Sequence, residues 1–458
     1  ANRCRTTSDT ATFCPAFKTV CSPGQPSWAV LPQGRLRRAM RTWSAEWLVL
    51  LPIARTLEVV TRSYGGEEFE SFSPVFAATQ LTPQQFILVS SPTERKIVYA
   101  QLKNFKSITG RSYALIDSGL SDPRGIALDR EKGALYVADP GARKIFRYKV
   151  FVQRAPESQG GLQLTTDGIQ VTVLQDKSVE WVAVDINSDV FYSDEGSKTI
   201  GRIPEATIGS LAEGYFQAGD LNFVSEKTME AAALKQQQQQ LQGSADMTPT
   251  DRPAYPTTVF EVYEGSINPH VTTPGGVASD GIHLYWTNLE GGGSAGTVVR
   301  GEVNPKPSLT GKEPEPFPAT VLSNNSMQAF GVVKSSKMVL WSTNSSGVGK
   351  VYGMMESTGQ VTTFVGDIAE PRGLVWDGDQ TVYVADKGLN GVFSFPVGRL
   401  VEFAPVTKAV VLNGAFGVAL LSETDKAWTK RSAAHGQHVA SRACGLLVLL
   451  VAGLSVQV

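Results

Sequence analysis

Short runs of Val, Ile, Leu and aromatic residues recur along this chain between clusters of Gly, Asp, Asn and Ser. Runs of that make-up, bounded by turn formers, are how half-buried β-strands read. They return in a fixed order. Pro123-Arg124-Gly125-Ile126-Ala127-Leu128-Asp129 is followed by Ala134-Leu135-Tyr136-Val137-Ala138-Asp139 and Lys144-Ile145-Phe146-Arg147-Tyr148. The same series comes back as Pro371-Arg372-Gly373-Leu374-Val375-Trp376-Asp377, Thr381-Val382-Tyr383-Val384-Ala385-Asp386 and Val392-Phe393-Ser394-Phe395. Weaker copies in phase begin at Trp181, Gly276 and Gly331, and a fourth, outer strand fits after each unit, at Val171, Val259, Thr320, Val361 and Ala409.

Several short strands repeating every 40–50 residues or so mark a β-propeller. Five units are complete. A sixth is divided: Phe86-Ile87-Leu88-Val89-Ser90, Lys96-Ile97-Val98-Tyr99-Ala100 and Ala114-Leu115-Ile116 lack a first strand, which Gly414–Leu421 can supply from the other end. A C-terminal strand completing the N-terminal blade closes the ring and leaves no sheet edge open. The expected fold is therefore all-β, a six-bladed β-propeller of four-stranded blades over residues 81–422. The punctuation fits. Gly125, Gly276, Gly331, Gly373 and Gly417 begin innermost strands, where six strands crowd the axis and a side chain would collide. Asp139, Asp194, Asn288 and Asp386 end second strands, where a short side chain can bond turn N–H groups.

Leu135-Tyr136-Val137-Ala138-Asp139, with Pro123-Arg124-Gly125, resembles an NHL repeat. Leu284-Tyr285-Trp286-Thr287-Asn288 and Val190-Phe191-Tyr192-Ser193-Asp194 are similar to the YWTD repeats of lipoprotein-receptor propellers. The resemblance covers about three quarters of the chain. Both families form six-bladed propellers, and the copies here divide between the two patterns.

The charge balance, 42 basic against 43 acidic residues, argues against nucleic acid as a primary partner. Cys4, Cys14, Cys21 and Cys444 all lie outside the expected blades, so packing alone has to hold them. The ends carry other signals. The terminal run 445–458 is apolar, and at about 1.5 Å per residue it falls well short of a bilayer core of about 30 Å. With Ser432, Ala433 and Ala434 and a polar spacer before it, it has the form of a GPI-attachment signal; a short tail anchor is the other reading. Arg35, Arg37, Arg38 and Arg41 precede Trp47-Leu48-Val49-Leu50-Leu51-Pro52-Ile53-Ala54, the form of a secretory signal, or else of a short buried strand or helix. If translation starts at Met40, residues 1–39 stay unassigned, 40–80 are signal and lead-in, and 423–444 are a polar linker. Asn324 and Asn344 are glycosylation acceptors placed in expected loops. An insertion at 204–256, rich in helix formers and ending in a Gln run, reads as an exposed, partly helical loop.

Chemistry is sparsely signalled. Asp129, Asp185, Asp280 and Asp377 end innermost strands, and carboxylates converging at a channel mouth could hold calcium; turn aspartates explain the same positions. His270 and His283 are the only histidines in the expected blades and share no fixed spacing. Arg124 and Arg372 occupy one place in two blades and point to one face, as binding residues or as ion pairs to the next blade. The expected function is a membrane-anchored cell-surface propeller, monomeric and without cofactor, that binds a protein or glycan ligand on one face. Two alternatives stand beside it, a calcium-dependent ester or lactone hydrolase and an intracellular scaffold.

Overall fold

The computed structural model describes residues 85–103, 106–107, 110–154, 162–225, 257–290, 296–306, 317–324, 328–345, 347–398 and 402–422. The signal segment, the linker, the tail with Ser432, Ala433 and Ala434, and residues 226–256 of the insertion lie outside them. Within them six sheets, antiparallel but for one added edge strand, form a six-bladed propeller. Blade 1 is the divided one. Its innermost strand is Val418–Ser422, paired antiparallel to Gln85–Ser91, with Val89 opposite Val418 and Gln85 opposite Ser422. Lys96–Lys103 and Tyr113–Ile116 complete it. Blades 2 to 6 begin with the innermost strands Ile126–Asp129, Val179–Val184, Pro274–Ser279, Gln328–Lys334 and Pro371–Trp376.

Side-chain alternation on the strands turns each blade's two faces toward its two neighbours. Leu421 packs with Phe86, Leu88 and Ile126 between blades 1 and 2. Its neighbour Leu420 packs with Ile87, Val89 and Tyr383 between blades 1 and 6. One short strand thus serves two separate cores.

At the axis the strands touch backbone to backbone. A Cβ on Gly125 would stand 2.6 Å from the Glu180 carbonyl oxygen, and one on Gly373 2.8 Å from that of Phe416. Five blades carry Gly at this level. Blade 3 carries Trp181, whose Cα faces Gly125. A ring of six hydrogen bonds joins each blade to the next. Ser90 Oγ donates to Arg124 O, Gly125 N–H to Glu180 O (2.8 Å), Ser193 Oγ to Gly275 O (2.6 Å), Thr287 Oγ1 to Phe330 O, Ser342 Oγ to Arg372 O (2.6 Å), and Gly373 N–H to Phe416 O (2.9 Å). Where the second strand offers a Ser or Thr, the hydroxyl makes the link. In blades 2 and 6, where Ala138 and Ala385 stand instead, the glycine N–H does.

Three local findings depart from expectation. The first part of the insertion is not an exposed loop: the helix Glu205–Ala212 buries Ile208 and Leu211, and Ala218 follows them, against Val173, Leu174 and Val190. Asn222–Ser225 then adds a parallel strand at the edge of blade 3. Lys144–Arg154 overruns its blade and pairs with Leu162–Thr166, placing Val150, Val152 and Leu164 in the core with Tyr99. Asn324 and Asn344 fall within the strands Thr320–Asn324 and Met338–Ser345 rather than in loops, because the hairpin pairing runs further than the apolar run that signals it.

Candidate functional site

The innermost strands start at one face of the disc, the Gly end, and finish at the other, the Asp end. Arg124 and Arg372 are both at the Gly end, as expected, and both are engaged. Arg124 pairs with Asp122 (3.0 Å) and with Glu180 of blade 3, and its guanidinium lies 5.8 Å from the Phe416 ring centroid. Burial opposes its charge, but Glu180 and Asp122 overrule that and raise its pKa. Arg372 lies over Phe330 at 4.0 Å, with Glu370 3.5 Å away, and there burial prevails and lowers the pKa. Trp181 and Phe416 meet with centroids 5.0 Å apart, each 6% exposed. An aromatic and arginine layer therefore lies at this end. Nearby Glu195 is raised by burial and by Glu180 and Glu290.

The Asp end is open. A cavity of about 450 Å³ is lined from Ile126, Val182, Val277, Val332, Leu374 and Val418, just inside the Gly ring, to a rim of Asp129, Arg130, Glu131, Asp185, Asp280 and Lys334. Its walls are aliphatic and its volume falls within the roughly 300–1,000 Å³ usual for ligand sites. Ile186 and Ile282, in the turns that follow two of the rim aspartates, are 75% and 70% exposed.

The four aspartates are turn caps. Asp129 Oδ1 accepts from the N–H groups of Glu131 (2.9 Å) and Lys132 (3.0 Å). Asp185 Oδ1 accepts from Asn187 (2.9 Å) and Asp189 (3.0 Å), and Asp377 Oδ1 from Asp379 (2.8 Å) and Thr381 (3.0 Å). Asp280 Oδ1 accepts from Ile282 (2.9 Å) and His283 (2.6 Å). Their second oxygens are directed elsewhere. Those of Asp129 and Asp377 are buried, that of Asp185 accepts from Asn187 Nδ2, and that of Asp280 lies 2.9 Å from the Tyr285 hydroxyl. Among the described residues no group of three or more acidic, His or Cys side chains is gathered to hold a metal ion.

Blade 5 differs. Lys334 stands at the aspartate position, and Ser335 does the capping, its Oγ bonding the Met338 carbonyl (3.1 Å) and N–H (3.2 Å). Lys334 Nζ lies 2.9 Å from Glu356 Oε2, while Arg300 is 3.9 Å and the Tyr285 hydroxyl 3.0 Å from Oε1. This links blades 4 and 5 beside the rim. Burial works against the Asp280 charge, but the His283 and Ile282 N–H groups and Tyr285 hold its pKa below the usual value. The Tyr285 phenol is pushed far up by burial, then by Asp280 and Glu356. The two histidines are not brought together. His283 sits 3.4 Å from Asp280 at the Asp end, whereas His270 lies in a loop whose carbonyl accepts from Trp286 Nε1 and Asn288 Nδ2 at the other end of that strand. Asn344 accepts from the Gly347 N–H (3.2 Å), and Asn324 is exposed.

No family model and no curated protein sequence matches the chain. Solved structures are similar to it in fold. A chain of a nidogen/laminin complex is 12% identical over 74% of this chain and 98% of that one, with a TM-score of 0.46. A candidate 6-phosphogluconolactonase from Bacteroides fragilis is 14% identical over 75% of this chain and 99% of its own, with a TM-score of 0.43. A virginiamycin B lyase from Staphylococcus aureus is 12% identical over 66% and 73%, with a TM-score of 0.33. At these identities the likeness concerns fold and says nothing of a site.

Proposed function

We infer that this protein is a binding propeller of the NHL/YWTD kind, monomeric and held at a cell surface by its C-terminal tail, whose Asp end receives a protein ligand. One observation carries the choice of face: the aliphatic channel cavity opens at the Asp end, where Ile186 of its lining is 75% exposed and Ile282 of the next blade's turn 70%. The Gly end, favoured by the two arginines in sequence, has those arginines already paired and stacked. Aliphatic walls and isoleucines suit apolar side chains of a protein better than a glycan. A closed ring of sheets presents such a surface with little ordering cost on association.

The test uses the tagged full chain added to cells or matrix from the producing tissue. The variant Ile186→Asp with Ile282→Asp should lose at least about tenfold in binding, the scale of an interface hot spot. Phe403→Asp, at a residue 64% exposed beside Thr363 and Gly366 of blade 5 and outside the channel lining, should not. Equal binding by the double variant and the parent would refute the assignment of the face. Release of the protein from intact cells by a phospholipase that cuts GPI anchors tests the anchoring separately.

A further inference from the structure

What the innermost strands turn toward the axis is largely backbone. Each is the end strand of its sheet and pairs on one side only. In an antiparallel pair alternate residues exchange both hydrogen bonds with the partner, and the residues between them point N–H and C=O away from it. The turn bonds fix which residues those are. The N–H of Asp185 donates to Asp189 O (3.1 Å), that of Asp280 to His283 O (3.2 Å), that of Ser335 to Met338 O (2.9 Å) and that of Asp377 to Thr381 O (3.0 Å). By the register, Val182, Val277, Val332 and Leu374 then face the axis. The bonds from Ala138 N–H to Gly125 O (2.9 Å) and from Ser90 N–H to Gly417 O (3.0 Å) turn Ile126 and Val418 the same way. These six residues form one ring in the lining of the well, and the residues two places further along each strand form a second. Below the rim no ionisable side chain is among the described lining residues.

Size narrows the occupant. A cavity of about 150 Å³ takes benzene, about 25 Å³ for each carbon, so one of about 450 Å³ takes about 18 non-hydrogen atoms. No single side chain is that large, whereas a peptide of about three small residues is. On the reading that the Asp end receives a protein ligand, we propose that the ligand inserts a short uncharged peptide segment into the well and is held there through its backbone. Strand edges suit a peptide because each offers N–H and C=O groups in alternation. The branched side chains beside those edges accept small apolar residues, and an inserted charge would meet no counter-charge below the rim. Ile186 and Ile282 then meet the ligand's surface around the inserted segment.

The probe is acetyl-Ala-Val-Ala-amide, titrated into the isotopically labelled full chain and followed by amide NMR and calorimetry. The axis-facing amides of Ile126, Val182, Val277, Val332, Leu374 and Val418 should shift. Those of Ala183, Ala278 and Val375, which bond within their own blades, should move less. An analogue with esters in place of the two internal amides keeps the size and side chains and lacks two donors. It should bind about tenfold more weakly, the scale of one or two hydrogen bonds. Uncapped Ala-Val-Ala, charged at both ends, should also lose about tenfold. Equal affinity of the ester analogue would overturn backbone recognition, and equal affinity of the uncapped peptide would overturn the exclusion of charge. Absence of binding by the capped peptide, or shifts confined to residues outside the two rings, would overturn insertion altogether. The cell-binding assay of Ile186→Asp with Ile282→Asp reads the face by itself: loss there beside silence here would remove the insertion and leave the face standing.

Discussion

Replacing Leu420 and Leu421 with Ala asks whether the C-terminal strand completes the first blade. Leu421 is 1% exposed and Leu420 4%, and they belong to different inter-blade cores, one shared with blade 2 and one with blade 6. A buried Leu→Ala change costs about 2–5 kcal/mol, so each variant should lose about 3 kcal/mol. Because the two side chains share no packing partners, the losses should add to about 6 kcal/mol in the double variant. Against a typical stability of about 5–15 kcal/mol that removes a large part of the total. Urea unfolding followed by tryptophan fluorescence reads the totals. Hydrogen exchange reads the location: amides of Gln85–Ser91, which pair with Val418–Ser422, should lose protection before those of blades 3 to 5. A double variant within about 1 kcal/mol of the parent would refute the closure and the blade count that depends on it.

Ser342→Ala removes a buried hydroxyl that donates to the Arg372 carbonyl at 2.6 Å and accepts from the Gly331 N–H at 2.9 Å, and should cost about 2–3 kcal/mol in the same unfolding assay. Asp386→Ala removes a fully buried carboxylate that accepts from three N–H groups, those of Ala369 (2.8 Å), Glu370 (3.1 Å) and Leu389 (2.8 Å), and should cost about 2–3 kcal/mol. Alkali should destabilise the fold. Burial, aided by Asp139 and opposed by a Gln170 hydrogen bond, pushes Tyr148 up to about 12, and burial raises Tyr136, Tyr192 and Tyr383 further. A folded pKa above the unfolded value of about 10 favours the neutral phenol, so this stability is complete below pH 10 and lost as pH rises through about 12. Urea midpoints at rising pH, read beside tyrosinate absorbance, check it; ionisation of all tyrosines near pH 10 without loss of stability would contradict it.

The blades were legible because their cause is local. Alternating β-branched and aromatic residues between turn formers specify short strands, and the repeat itself reports the ring. The Gly positions also follow from one crowded axis. The added strand Asn222–Ser225 and the overrunning hairpin at Leu162–Thr166 left no such mark, since each is set by a neighbouring surface rather than by its own pattern. The same division holds at the site. The aspartates at the strand ends stand out in the chain, but whether their oxygens face a channel or cap a turn depends on backbone N–H groups that the residue names do not reveal. Arg124 and Arg372 stand out in the chain by their repeated position, whereas their partners Glu180 and Phe330 come from other blades.

Repetition along the chain was enough to establish a six-bladed ring and its closure by the last strand, because strand propensity and turn chemistry act over a few residues. Which end of the channel is open rests on contacts between residues far apart in sequence. Trp181 of blade 3 and Phe416 of blade 1 meet at the Gly end, while the rim of Asp129, Asp185 and Asp280 borders an open cavity. Encounters of that kind exist only once the sheets have been brought round into a circle.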